Sequence, residues 1–388
     1  MARSCLAIFL LLCLLSSLFL FSCSGQVPEN SPTPEQNGTL EPEPDAADVP
    51  EEETPESDFE CIEENGSWVI KKYNGTGSVV NVPPIINGKE VNGISALAFS
   101  QKECVTVYLP EGIETIGNSA FEGCKKLEKI QLPKTLKEFG YRSFGECSSL
   151  KCIVIPEGIK SLNPALFEMC ENLETVTLPS ALTEIGNSAF KKCLALKEIS
   201  FPSKLERIGL EAFSGCKSLK NLFVPKTIKE FSSAFTSAGI ETLVLEEGLT
   251  NIGDYAFSGI EIKEVMIPSS VEKIGYGAFY GCEKLSKITL AEGIKYLDIR
   301  FIEKTAIKEI IIPSSVSETP LGVQKSSFMN AYELEKVYFD GVAPIDYTNE
   351  YEFYNPDIDL YLNYIVCYHE GAKGFTSPEW NGFKTEIW

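Results

Sequence analysis

The chain repeats itself, and no other property constrains its fold as tightly. The stretch Ala120 to Arg142 reads AFEGCKKLEKIQLPKTLKEFGYR. It recurs as SFGECSSLKCIVIPEGIKSLNPA from Ser143, LFEMCENLETVTLPSALTEIGNS from Leu166 and AFKKCLALKEISFPSKLERIGLE from Ala189. Phenylalanines mark the period: Phe99, Phe121, Phe144, Phe167, Phe190, Phe213, Phe235, Phe257, Phe279 and Phe301, with Phe328 after a longer gap. A unit this short cannot bury its own apolar face, so the units must stack into a solenoid. Stacking lays Phe on Phe, Leu on Leu and Cys on Cys.

Within a unit each apolar position has a fixed task. Ile130 and Leu132 alternate with Lys129 and Gln131, the two-residue period of a strand. Pro133 closes that strand because it has no N–H for a ladder. Pro110, Pro156, Pro179, Pro202, Pro225, Pro268 and Pro313 stand at the same place. Gly117, Gly186, Gly209, Gly253 and Gly275 mark a return turn before the next Phe. The expected product is one long parallel sheet with rungs about 4.8 Å apart, so about eleven coils give a body on the order of 50 Å long.

The pattern LxxIxLPxxLxxIGxxAFxxC resembles the bacterial BspA-like leucine-rich-repeat family, from about Phe99 to Phe339. The resemblance implies a β-rich leucine-rich-repeat solenoid with a cap at each end. It also implies a surface or secreted protein, with some members described as adhesins for host matrix proteins or other cells. It implies no active site and no cofactor.

The order of segments follows. Residues 1–22 carry a basic Arg3 and an almost wholly apolar run, Cys5 to Phe21, too short for a spanning helix with no stop-transfer flank; this reads as a signal peptide. Leu20-Phe21-Ser22-Cys23 resembles a lipoprotein box, which makes Cys23 the lipidated first residue of the mature chain; the plainer reading is one more leader cysteine. Residues 23–60 read as a disordered tether. Ser24 to Glu60 has twelve acidic residues, many prolines and no Lys or Arg. An acidic recognition tail is the other reading. Residues 61–98 form an N-terminal cap, with Trp68–Tyr73 and Ser78–Pro83 expected to pair as a hairpin around Asn74-Gly75-Thr76-Gly77. Repeats occupy 99–340. A C-terminal cap fills 341–388, where Phe353, Tyr354, Phe375, Trp380, Phe383 and Trp388 either plug the last rung or cradle a ligand.

Charge excludes one class of partner. The 55 acidic residues less the tether's twelve leave 43, and the 34 basic residues less Arg3 leave 33, so the body is near −10. Nucleic-acid binding needs a basic footprint, and this chain lacks one.

Thirteen cysteines suggest metal or disulfides, but their spacing does not. Cys124, Cys147, Cys170, Cys193 and Cys216 lie one repeat apart, with Cys282 in the same register and no close pair of metal-ligand spacing. They are expected to be buried thiols whose parallel side chains suit a disulfide poorly. Cys152 faces outward. His369 is the single histidine, and neither a nucleophile elbow nor a metal-binding helix motif occurs. Carboxylates that converge only in space are the one catalytic arrangement left open. An enzyme is not expected.

The outward strand positions carry the functional expectation. Counting from the inward Ile and Leu gives a column that includes Tyr108, Val154, Phe223, Val244, Met266 and Ile311. Phe223, Val244 and Met266 fall on consecutive rungs, and a contiguous apolar patch marks an interaction site. The alternative is that such residues simply suit strands. The expected partner is a protein ligand, such as a host matrix component or another cell surface. The rivals are a cell-envelope glycan and a spacer with no ligand.

Overall fold

The computed structural model describes residues 52–64, 66–317, 322–344 and 363–388. The signal peptide, Cys23, most of the tether, Phe353 and Tyr354 lie outside them. Residues from Val49 onward form one compact unit. Among the described residues no helix is long and apolar enough to cross a membrane.

Each coil has three sides, and each side takes part in hydrogen bonds between coils. The first is the expected strand: Thr106–Tyr108 pairs in parallel with Lys129–Gln131, and Val107 lies beside Ile130. The second is a two-residue strand, Thr115–Ile116 beside Glu138–Phe139. The third is the turn that carries the Phe. There Ser119 N–H donates to Tyr141 O at 2.9 Å, Phe121 N–H to Ser143 O and Gly123 N–H to Gly145 O, both at 2.8 Å. Two residues per turn take the left-handed conformation, for example Arg142 (φ 53°) and Glu146 (φ 60°), or Ser188 and Lys192. Left-handed backbone costs a non-glycine residue about 1–2 kcal/mol, which the inter-coil bonds on this side offset.

Packing fixes the stack. Tyr73, Phe99, Phe121, Phe144, Phe167, Phe190, Phe213, Phe235, Phe257 and Phe279 form one continuous column of nearly parallel rings, with neighbouring centroids 4.8–5.8 Å apart. These offset stacks are a favoured aromatic geometry. The thiols form a second column. Cys124, Cys147, Cys170, Cys193, Cys216 and Cys282 are all fully buried and free. Each donates its S–H to the carbonyl of a column Phe, as Cys147 does to Phe121 O at 3.2 Å and Cys282 to Phe257 O at 3.1 Å. Burial pushes the Cys216 and Cys282 thiols up to about 12. Cys104 joins this column although two extra residues separate it from Phe99. Gly209 shows how closely the coils approach: a Cβ there would stand 2.5 Å from Asn187 N.

Several expectations need correction. The strands do not make one long sheet; they pair in blocks, such as Cys152–Val154 with Thr175–Thr177 and Asn221–Val224 with Thr242–Leu245. The ring column is spaced wider in places than the about 4.7–4.9 Å of a hydrogen-bonded ladder, and the mismatch is taken up as gaps between blocks. Phe301 does not continue the ring column. Phe279 N–H donates to Phe301 O as Phe257 N–H donates to Ala278 O, so Phe301 takes the small-residue position and Ile302 the ring position. The N-terminal hairpin is Phe59–Glu64 with Ser67–Tyr73, not 68–73 with 78–83. Gly66, at φ +80°, lies in the short connection between them. Val79–Asn81 instead pairs in parallel with Thr106–Tyr108. The ordered body also starts before Cys61. Thr54 N–H donates to Asn81 O at 2.8 Å, Asn81 N–H returns a bond to Thr54 Oγ1, and Phe59 packs on Tyr73 at 5.3 Å. Backbone bonding and one aromatic anchor overcome the polar composition there. At the other end the parallel ladder passes residue 340: Ile365–Tyr368 pairs with Lys336–Phe339, and Phe383–Ile387 with Ile365–Tyr368. Phe375 and Trp380 pack on Phe339 at 5.6 and 6.2 Å, and Phe375 stacks on Tyr368 at 4.8 Å.

Candidate interaction surface

The strand side carries the surface that the sequence singles out. Phe223 lies directly beside Val244, and Met266 beside Thr289. Their inward neighbours Leu222, Leu243 and Val265 are buried, which forces the three intervening side chains outward. Phe223, Val244 and Met266 are 52%, 50% and 72% exposed. Phe223 and Val244 share one block of paired strands and Met266 stands on the next; Val154 and Ile311 are exposed as well, on further blocks. Cys152 is exposed on the same strand as Val154.

Tyr108 departs from expectation: it is only 7% exposed. It lies between Asn81 and Gln131 on neighbouring strands, with the Lys129 ammonium 5.9 Å from its ring centre. Asn81 is in turn held by the chain at Glu52 and Thr54. Tyr108 therefore belongs to the N-terminal packing and not to an open face.

A groove of about 690 Å³ opens beside the apolar patch, with Met266 in its wall. Its other walls include the strand residues Leu243, Val265 and Thr289 and the charged Glu241, Glu261, Lys263, Lys284 and Lys287. Lys284 donates to Glu261 at 2.8 Å, and that bond holds the Glu261 carboxyl below its ordinary range and the Lys284 ammonium above its own. The face thus joins an apolar ridge to a charged trough whose ions are partly paired. Sequence counting locates the ridge. It does not locate the trough, because Glu241, Glu261 and Lys284 lie on the bends that lead into strands.

Among the described residues, no three or more His, Cys, Asp and Glu side chains gather to hold a metal ion. His369 Nε2 lies 2.8 Å from Asp340 Oδ1, and its ring stacks on Trp388 at 4.7 Å. Cys23 lies outside the described residues.

Residues 92–220 and 211–335 match the BspA type leucine rich repeat region, in six copies. No curated protein matches the chain. Several solved structures are similar, three of them as follows. A leucine rich repeat protein of T. pallidum is 28% identical over 60% of this chain and 91% of that one, with a TM-score of 0.44. A leucine rich cell surface protein from Faecalibacterium prausnitzii is 23% identical over 88% and 99%, with a TM-score of 0.47. A leucine-rich repeat protein from Bacteroides ovatus is 22% identical over 85% and 97%, with a TM-score of 0.54, which bears on the fold alone. With well over half its length matched, the chain belongs to the BspA type leucine-rich-repeat family.

Proposed function

We propose that this chain is an exported, lipid-anchored binding module that holds a protein ligand across its strand face and performs no catalysis. The carrying observation is the ridge of Phe223, Val244 and Met266, half or more exposed on three successive coils and bordered by a charged groove. Apolar anchors beside charges that set orientation are the ordinary anatomy of a protein-recognition surface. The ridge sits on strands of two neighbouring blocks held by the buried rows beneath them, so it costs little conformational entropy on binding.

The full chain should bind an immobilised matrix protein or cell-surface protein in a plasmon-resonance screen. The triple variant Phe223→Asp, Val244→Asp, Met266→Asp should bind at least about 100-fold more weakly, since three central anchors are lost. Its melting temperature should stay within a few degrees, because all three side chains are exposed. Equal binding by a folded triple variant moves the ligand off this face. The absence of any ligand for the parent chain favours a spacer.

Anchoring is tested separately at Cys23. The exported chain should partition into the detergent phase of a cloud-point extraction, and Cys23→Ala should move it to the aqueous phase. An unchanged partition removes lipidation from the reading.

A further inference from the structure

The charges that lead into the strands form a row, and the row leaves one charge over. On most coils the residue just before the strand is charged, and neighbours pair in twos. Lys151 meets Glu128 at 3.1 Å, Lys197 meets Glu174, Lys220 meets Glu241 at 2.8 Å and Lys308 meets Glu335 at 2.9 Å. Lys263 is the exception. On one side Glu241 already holds Lys220, and on the other side the row has Ser286. Among the described residues the Lys263 ammonium has no ion-pair or hydrogen-bond partner.

A second free cation stands beside it. Lys287 lies next to Glu264 in the strand register, yet the two form no ion pair, and among the described residues the Lys287 ammonium has no partner either. Lys263 O accepts the Lys287 N–H at 3.3 Å, so the two lysines spring from adjoining backbone. Both side chains are exposed, and both line the groove of about 690 Å³. Two unpaired like charges on neighbouring strands repel each other, and an anion bound near them relieves that repulsion.

The rest of the groove does not cancel them. Glu241 is paired with Lys220, and Glu261 with Lys284 at 2.8 Å. Two ammoniums therefore face the single free carboxylate of Glu264. A local positive excess on a body near −10 is a selective feature. The groove also has depth. Leu243 and Val265 line it from strands Thr242–Leu245 and Glu264–Ile267, which no ladder joins. Met266 supplies the apolar wall at 72% exposure. It stands three residues beyond Lys263, which is about 10 Å along a strand.

We infer that this groove takes an extended acidic segment of the protein partner, with a carboxylate at Lys263 and Lys287 and an apolar side chain against Met266. The inference rests on the strand-face reading above and gives its ligand a chemistry. An extended peptide rises by about the same 3.3 Å per residue as the strand beneath it, so its acid and its apolar anchor stand about three residues apart. A basic segment would add to the repulsion. A neutral segment would leave both ammoniums unpaired. An acidic glycan would meet the ammoniums, but no aromatic residue lines the groove to pack on a sugar ring.

The experiment titrates the full chain against the fluorescein-labelled peptide ESSLSSESSLSS, which carries the acid and the apolar residue at that spacing in both directions. The peptide should bind, and more weakly as salt is raised. The peptides QSSLSSQSSLSS and ESSSSSESSSSS should each bind at least about fivefold more weakly. So should the variant Lys263→Gln, Lys287→Gln, whose melting temperature should not move because both side chains are exposed and unpaired. Lys263→Arg, Lys287→Arg keeps both charges and should bind as the parent does. Failure of the acidic peptide overturns the inference. So does equal binding by the glutamine peptide or by the Lys263→Gln, Lys287→Gln variant, or displacement of the peptide by tetragalacturonate. The protein ligand found in the plasmon-resonance screen separates this inference from the reading beneath it. If that ligand is lost by the Phe223, Val244 and Met266 triple variant but kept by Lys263→Gln, Lys287→Gln, the strand face stands and the acidic class falls. If the triple variant keeps it, both fall.

Discussion

Phe190→Ala is expected to destabilise the chain by about 3–5 kcal/mol, the cost of deleting a fully packed aromatic side chain. Phe190 is completely buried. Its ring stacks on Phe167 at 5.5 Å and on Phe213 at 5.2 Å, so the substitution opens a void between two coils on each side. Its carbonyl accepts the Cys216 thiol, and its N–H donates to Ala212 O at 2.8 Å; both bonds lose their support when the backbone relaxes into the void. In a stacked array stability is close to a sum of coil and interface terms, so weakening two adjacent interfaces also splits the cooperative unit. Urea unfolding should therefore show a lower midpoint and a shallower slope, and amide exchange should rise on the neighbouring coils before it rises at the ends. Phe223→Ala is the control. That ring is exposed, and its loss should change stability by no more than about 0.5 kcal/mol. Should both variants lose the same stability, the ring column is not what holds the coils together.

Arg142→Ala is expected to cost about 2–3 kcal/mol at neutral pH. Breaking a fully buried ion pair costs about 3–5 kcal/mol, and the estimate is reduced because Glu146 is more than a third exposed. The guanidinium is 15% exposed and faces Glu122, Glu146 and Glu168. Its removal leaves three acids together, so the loss is mutual repulsion as much as missing attraction. Burial by itself would raise the Glu122 carboxyl, but hydrogen bonds from Ser119 and Arg142 outweigh burial and hold it below its ordinary 4.5. A depressed folded-state value means stability that is present above pH 4.5 and lost as the pH falls through the lower folded value. Arg142→Ala removes that contribution and lets its carboxylates take up protons more readily. The gap between parent and variant should be full at pH 7 and should narrow below about pH 4. Urea titrations at the two pH values check it. A gap that does not change with pH would mean that the arginine acts through its packed hydrocarbon stem.

The surface charges illustrate a different scale. Many pairs join residues 23 apart, as Lys151 with Glu128 at 3.1 Å and Lys229 with Glu206 at 2.9 Å. Both partners are about half exposed or more, so each pair contributes little to stability. Their consistent spacing does favour one alignment of coil on coil, because a slipped register would separate the partners.

Much of the fold is determined along the chain. The period, the Phe and Cys rows, the proline that ends each strand and the alternation of buried and exposed positions are covalent facts, and stacking identical units leaves them one arrangement. That is why the thiols are buried and why Phe223, Val244 and Met266 point outward. What only the tertiary structure decided is how one coil meets the next. The second strand is two residues long and carries no propensity signal. Phe301 keeps the count of 22 yet falls one place out of register, because the inter-coil hydrogen bonds and not the count choose which residue enters the ring column. Tyr108 has the sequence of an exposed position, and it is covered between the strands of Asn81 and Gln131, where Asn81 is held by a segment that composition marks as a tether. Arg142 and Arg300 look alike in the sequence, each in a turn with a glutamate close by. Arg142 meets three carboxylates and Arg300 one, because Glu122 and Glu168 reach Arg142 from the coils on either side, 20 and 26 residues distant, where no local pattern reaches. Repetition dictates the frame, and contacts across it set the chemistry of each face.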